Sequence, residues 1–330
     1  MFKKDWCFSL DEQIHEESAE EGGMFARSLS ALRRGPARGV AGSRQIRLFH
    51  DEGTLAQGHR RRALEATAMA RTHGDVLVHT VPALSDNYIF ILEHQKRKQV
   101  AVIDPSESKP VVDRLEDLGL SLDCILNTHH HYDHTDGNLA LKDRYDCKVF
   151  GFSGDSSRIP GITHHLSEGS EFHFGDELVE VLETPGHTTG HISFYFPRSK
   201  IAFVGDTLFV MGCGRLFEGS PQQMHASLQK LATTLPADTT VYCAHEYTMS
   251  NAKFAITVDS GNQALADRFR EIESLRSQKL KTVPTTMEAE LKTNPFLRCG
   301  DGDLKRCIGM AGDAEEVEVF RRVRQLKDNF

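Results

Sequence analysis

From Asp75 onward the chain alternates short apolar runs with polar turns, the pattern of strands. The runs Val76–Val81, Tyr88–Leu92 and Gln99–Ile103 are rich in β-branched and aromatic residues, with turn signals at Asp86-Asn87 and Asp104-Pro105. A helix is predicted from about Pro110, in its first turn, through Val111, Val112, Leu115 and Leu118, stopping at Gly119. The apolar run Asp123–Asn127 predicts a buried strand, Asn138–Tyr145 a helix and Lys148–Phe150 another strand. Strand, helix, strand in this order is α/β.

The second half adds three strand-like runs. Glu177–Glu183 alternates with period two, Ile201–Val204 is apolar throughout, and Thr240–Ala244 reads as a further strand. From Met249 the pattern turns helical. Asn262–Leu280 carries Leu265, Phe269, Ile272 and Leu275 with charges between them, and another helix is predicted over about Ala314–Leu326.

Residues 1–73 lack such a pattern and read as an extension without a folded domain. Its start, through Glu21, is acidic and polar, but from Met24 the character reverses, with Arg27, Arg33, Arg34, Arg38, Arg44 and Arg47 and no acid before Asp51. An Arg-rich, Ser-containing, acid-free stretch is the composition of a mitochondrial transit peptide. The expectation is a start at Met24 for a mitochondrial form and at Met69 for a cytosolic one.

The totals narrow the class. A chain of 330 residues accommodates two domains, and a net charge of -8 argues against nucleic acid as a partner. No apolar stretch approaches the ~20 residues of a membrane span. Seven cysteines, scattered and odd in number, suggest reduced thiols and not a disulfide framework.

The candidate chemistry lies where strands end. Residues 128–134 read Thr-His-His-His-Tyr-Asp-His directly after the 123–127 run. His129 and His131 are two apart and face the same way in an extended segment, with Asp133 and His134 at the following turn. That offers one ligand pair to one cation and a second pair to a neighbour, in a donor set that Zn or Fe accepts. The 177–183 strand runs into Thr184-Pro-Gly-His-Thr-Thr-Gly-His191, a tight loop in which both His187 and His191 are candidates. Asp206 follows the 201–204 strand, where a buried acid must be paired or bind metal. His245 ends the 240–244 strand.

Together these motifs resemble the metallo-β-lactamase superfamily and, within it, glyoxalase II, the hydroxyacylglutathione hydrolases. The resemblance runs from about Val76 to the C-terminus. It includes Thr-Pro-Gly-His at 184–187, Gly-Asp-Thr-Leu-Phe at 205–209, Gly-Cys-Gly-Arg-Leu-Phe-Glu-Gly at 212–219, His-Glu-Tyr-Thr at 245–248 and Asn-Pro-Phe-Leu-Arg at 294–298. It implies an αββα sandwich over 74–247 and a C-terminal helical, glutathione-binding domain over 248–330. It implies that His129, His131 and His187 hold one divalent metal and Asp133, His134 and His245 a second, with Asp206 bridging and His191 outside the ligand shell. Zinc heads the candidate metals, and Fe or Mn suits the same donors.

The implied reaction is hydrolysis of S-(2-hydroxyacyl)glutathione thioesters by a hydroxide shared between the metals. The substrate would be S-D-lactoylglutathione, the products D-lactate and glutathione, in the second step of methylglyoxal detoxification. Asp133 is the catalytic candidate, orienting the nucleophile. The implied substrate-binding residues are Arg215, Phe217, Tyr247, Arg298 and, across the insertion Cys-Gly-Asp-Gly-Asp at 299–303, Lys305. Arg215 stands where the family usually has Lys, and Phe217 where it usually has Tyr, a lost hydrogen bond worth about 1 kcal/mol. A monomer with a small-molecule substrate is expected. The alternatives are a persulfide dioxygenase with one iron on the same fold, and a non-catalytic binding protein.

Overall fold

The computed structural model describes residues 70–330. The expected extension therefore lies, up to residue 69 and including the segment from Met24, outside the described residues.

The polypeptide builds two mixed sheets. The first contains β1 (Ala70–His73), β2 (Val76–Ala83), β3 (Asn87–His94), β4 (Gln99–Ile103), β5 (Cys124–Leu126), β6 (Lys148–Phe152) and β7 (His164–Leu166), in that spatial order. Pairing is antiparallel from β1 to β4 and parallel from β4 to β7. The crossovers that parallel pairing demands are, for β4–β5, α1 (Ser108–Leu118) and, for β5–β6, the pair α2 (Tyr132–Thr135) and α3 (Asn138–Tyr145). Gly119 ends α1 in the left-handed region at φ 65°, where its amide reaches the Leu115 and Glu116 carbonyls.

The second sheet contains β8 (Glu171–Phe174), β9 (Glu177–Glu183), β10 (Ile192–Phe196), β11 (Ile201–Phe203), then, after the small hairpin of β12 (Leu208–Phe209) and β13 (Gly212–Cys213) and the helix α4 (Pro221–Thr234), β14 (Thr240–Tyr242) and β15 (Thr285–Thr286). Its order is β15-β14-β11-β10-β9-β8, with only β11 and β14 parallel. Residues after β14 are mainly helical: α5 (Thr248–Val258), α6 (Gln263–Ser277), α7 (Met287–Thr293), α8 (Gly302–Cys307) and α9 (Glu316–Asp328).

Why β3 is apolar at every position from Tyr88 to Leu92 follows from its two covered faces. Ile89 and Ile91 join the core under the helices, with Val100, Val102, Val111, Leu115 and Leu141. Phe90 points the other way, 5.5 Å from Phe203 and 5.1 Å from Tyr242 of the second sheet. Phe150 and Phe172 stack across the same interface at 5.1 Å. An aromatic layer between two sheets, with helices outside, is the αββα sandwich that the resemblance implied.

Several elements depart from the sequence expectation. The first sheet begins at Ala70, four residues ahead of the expected boundary at 74, because an edge strand needs only backbone partners and one buried tether: the His73 ring bonds the Tyr242 hydroxyl at 2.8 Å. β8, β10 and α4 were not anticipated. Yet Ile192–Phe196 is buried at every position, and α4 opens on a capping box in which Ser220 and Gln223 bond each other's backbone amides. Among the described residues no helix is long and apolar enough to cross a membrane. Cys124, Cys147, Cys213, Cys243, Cys299 and Cys307 are free thiols.

Candidate metal centre

Four strand ends meet at one edge of the sandwich, and backbone hydrogen bonds stitch the two sheets together there. Ile192 N–H donates to the Thr128 carbonyl at 2.8 Å, and Tyr88 N–H to the Ala244 carbonyl at 2.7 Å. The loop after β11 has room only for glycine at 205. Its φ is +46°, and a Cβ would stand 2.4 Å from Thr128 Oγ1 and 2.7 Å from His191 Nε2.

The histidines are brought in with their lone pairs facing one another. His187 Nδ1 donates to the Arg215 carbonyl at 2.8 Å, which leaves Nε2 unprotonated. Thr128 Oγ1 gives its own proton to Asp104 Oδ2 at 2.6 Å and accepts from His129 Nδ1 at 3.0 Å. His129 Nε2 and His187 Nε2 then converge on His131 Nδ1, at 3.1 and 3.0 Å. Burial, followed by the neighbouring imidazoles, pushes His129 well below its ordinary value and His131 down to about 4. Burial also lowers His187. Three neutral imidazoles that share a corner in this way can hold a cation in it.

A second cluster lies beside the first. His134 Nδ1 donates to Asp104 Oδ2 at 3.0 Å and His245 Nδ1 to Asp86 Oδ1 at 2.8 Å. Their Nε2 atoms are 3.4 Å apart, with Asp133 Oδ2 at 3.7 and 3.6 Å from them. Asn87 holds Asp133 by donating to its carbonyl and carboxylate, at 3.0 and 3.3 Å. Burial alone would lower His134, but Asp206, Asp104 and Asp133 outweigh it and raise it to about 9.

Asp206 spans the two clusters. Oδ2 lies 3.3 Å from His187 Nε2, and Oδ1 lies 3.5 Å from His134 Nε2 and 3.4 Å from His245 Nε2. Oδ1 is buried and accepts no hydrogen bond. A buried carboxylate oxygen set among imidazole nitrogens, with no hydrogen bond of its own, fits a cation between them. Burial pushes this carboxyl up, yet the surrounding histidines, His245 foremost, hold it down to about 2. His191 has both nitrogens engaged elsewhere: Nε2 accepts from Asp206 N–H at 3.1 Å and Nδ1 faces Thr184 and Thr207 hydroxyls at 3.0 and 3.1 Å.

A cavity of about 420 Å³ opens from His187 and Asp206, lined also by Phe209, Cys213, Arg215, Phe217, Tyr247 and Lys327. Phe217 is 65 % exposed and sets its ring edge on His131 and His187, at 5.7 and 5.2 Å. Tyr247 stacks on His245 at 4.7 Å, with 5° between the planes.

The structure does not bring Arg298 and Lys305 to this cavity. Arg298 bonds Asp259 Oδ2 at 3.0 Å and Asp301 Oδ2 at 2.9 Å, and Lys305 donates to the Gly312 carbonyl at 3.0 Å. Both cations are spent inside the helical region, where carboxylates and a carbonyl satisfy them. The cations that do line the cavity with Arg215 are Arg324 and Lys327 of α9. They escaped notice because the resemblance assigned the cationic role to Arg298 and Lys305, and Lys327 lies beyond the expected helix end at Leu326. Asp104 was also missed, although it follows an apolar strand just as Asp206 does, and the same rule flags it.

Fold and site define a metallo-β-lactamase-type protein, whose fold implies a binuclear metal site that these His and Asp clusters fit. Residues 83–245 match the model of the metallo-beta-lactamase superfamily and residues 246–330 that of the hydroxyacylglutathione hydrolase C-terminus. The hydroxyacylglutathione hydrolase of Mesorhizobium japonicum is 50% identical over 248 residues, 74% of this chain and 96% of that protein. That of Rhodospirillum rubrum is 48% identical over 253 residues, 77% and 98% of the two chains. The chain belongs to the hydroxyacylglutathione hydrolase family. Among solved structures, ETHE1 from Myxococcus xanthus shares the fold with a TM-score of 0.54 at 24% identity, over 75% of this chain and 89% of that one. A metallo-beta-lactamase from Staphylococcus aureus does so with a TM-score of 0.54 at 18% identity, over 78% and 72%.

Proposed function

We propose that the protein hydrolyses S-(2-hydroxyacyl)glutathione thioesters, with S-D-lactoylglutathione giving D-lactate and glutathione. The observation that carries this reading is the placement of Asp206, spanning two ligand clusters at the mouth of a cavity lined by Arg215 and Lys327. His129, His131 and His187 would hold one metal, Asp133, His134 and His245 the other, and Asp206 would contact both. Zinc is proposed for both places, with Fe or Mn admitted by the same donors. When bound, such a pair supplies Lewis acidity that lowers the pKa of water and polarises the thioester carbonyl.

The remaining work falls to the protein's own groups. Asp133 turns Oδ2 toward the second cluster, which leaves Oδ1 to take the proton of the attacking water. The leaving thiolate has a parent pKa of about 8.5, so no strong acid is required. Arg215 and Lys327 offer cations to the glutathione carboxylates. Arg324 acts at one remove: it is buried, bonded to the Cys213 carbonyl and to Asp328, and so fixes the cavity wall. Phe217 and Tyr247 close the sides against the ligand histidines.

We further propose two structural domains divided at 247–248, the first opening with β1 at Ala70, a monomer, and a preceding extension that directs the protein to the mitochondrial matrix from a start at Met24 and to the cytosol from Met69. N-terminal sequencing of the organelle fraction tests this last point, and an intact 1–23 segment there would refute it.

The activity test is hydrolysis of S-D-lactoylglutathione by purified protein, with metal content measured on the same sample and His131→Ala as control. Turnover with about two metals per chain, lost in the control, supports the proposal. One iron per chain with oxygen uptake on glutathione persulfide would replace it with the dioxygenase, and neither activity with a binding role.

A further inference from the structure

One histidine of the 128–134 motif has no part in the clusters. His130 stands between two ligand candidates, and since alternate residues of an extended segment face opposite ways, its ring points away from the corner they share. It meets Asp155 Oδ2 through Nδ1 at 3.1 Å, while Nε2 lies 3.2 Å from Arg158 Nη1 and 3.5 Å from Glu218 Oε1.

Arg158 is the hub of this group. Its Nη2 donates to Asp155 Oδ1 at 2.6 Å and Nη1 to Glu218 Oε1 at 2.6 Å. Glu218 Oε2 in turn accepts from Thr189 N–H at 2.8 Å and the Thr189 hydroxyl at 2.9 Å. Burial works against the Glu218 anion, yet the Thr189 amide and hydroxyl and Arg158 hold its carboxyl down to about 2. The backbone amides of Phe217 and Glu218 both donate to the His187 carbonyl, at 3.2 and 3.3 Å. Asp155 is buried against Gly190, where a Cβ would stand 2.4 Å from its carboxyl.

These bonds tie together the loop of His129 and His131, the loop of His187 and the segment of Phe217. The side chains of the Asp133, His134 and His245 cluster receive none of them; their supports are Asp86, Asn87 and Asp104, which also reaches His129 through Thr128. We propose that Arg158 is a positioning residue that clamps Asp155 to Glu218 and thereby holds His131 and His187 at the spacing the first metal requires, without serving the second. The inference rests on reading the first cluster as a metal site. A planar guanidinium that bridges two carboxylates is not replaceable by an ammonium, so the device is specific to arginine.

The test is metal release from zinc-loaded wild-type, Arg158→Lys, Arg158→Met and Glu218→Gln proteins, timed with an excess of chelating dye, with far-UV circular dichroism confirming the fold. Loss of an outer support weakens a metal site about 10–100-fold. In Arg158→Met and Glu218→Gln, one of two release phases should accelerate by that factor, the other should keep the wild-type rate, and Arg158→Lys should restore little. Equal acceleration of both phases would mean general loosening and overturn the proposal, as would wild-type rates in both. Should Arg158→Met fail to fold, Glu218→Gln decides alone. A wild-type protein that retains no zinc overturns the metal reading itself, a result distinct from retained zinc with unchanged release.

Discussion

The guanidinium of Arg324 donates to the carbonyl of Cys213 at 3.0 Å, although 111 residues separate them in sequence. The contact joins the C-terminal helix to the β12–β13 hairpin and forms one wall of the cavity beside Asp206. Lys327, one turn further on, bonds Ser250 Oγ at 3.1 Å and lines the same cavity.

Replacing Lys327 by Ala should therefore raise KM for an anionic glutathione thioester and leave kcat within about twofold. A charge-assisted contact is worth about 1.5 kcal/mol, which is about tenfold in KM. Steady-state kinetics at rising ionic strength sharpen the test, because screening should raise the wild-type KM and affect the variant less. A drop in kcat at unchanged KM would remove Lys327 from substrate binding.

Asp206→Ala removes the carboxylate whose two oxygens face the two clusters. Metal content should fall from about two per chain to one or fewer, and kcat on the order of a thousandfold, the equivalent of about 4 kcal/mol of Lewis-acid stabilisation. Elemental analysis and kinetics on the same sample check this. Full metal content with wild-type kcat would contradict the spanning role.

Asn294 is fully buried and donates to the Phe209 and Gly212 carbonyls and to Glu290, at 3.2, 3.0 and 3.0 Å. Asn294→Ala takes this donor from the Phe209 and Gly212 carbonyls, each at a cost of about 1–3 kcal/mol, while Glu290 Oε2 keeps the Met211 N–H. Urea unfolding should show a loss of about 2–4 kcal/mol, with KM raised because the β12–β13 wall is no longer held. Unchanged stability would mean that water replaces the amide at no cost.

Lys281 gives the fold a pH signature of its own. Burial, then the charge of Arg71, pushes its ammonium from 10.5 down to about 8. Between those values the unfolded chain holds a proton that the folded chain has released, so stability rises with pH across this window. Below about 8 both states are charged and the fold carries the whole cost. Lys281→Met should be more stable than wild type at pH 7 and should flatten the rise between pH 8 and 10 in urea unfolding. An identical slope in both proteins would show that Lys281 is fully hydrated.

The chain's local pattern was enough to locate β3, β4, β9, α1 and α3 and to mark the four strand ends that carry His129, His187, Asp206 and His245. Periodicity, Gly and Pro punctuation and residue type are written residue by residue, so they survive without any tertiary information. What partners those groups take is a matter of distance across the fold. The sequence could nominate both His187 and His191, but only the structure turns His191 toward Thr184, Thr207 and the Asp206 amide and leaves His187 Nε2 in the shared corner. The same holds for cations: Arg298 and Lys305 carry the right charge but find acceptors at Asp259, Asp301 and Gly312, whereas Arg324 and Lys327 are carried to the cavity by a helix that docks from the far end of the chain. Charge is fixed by residue type, and the place where it acts is set by packing.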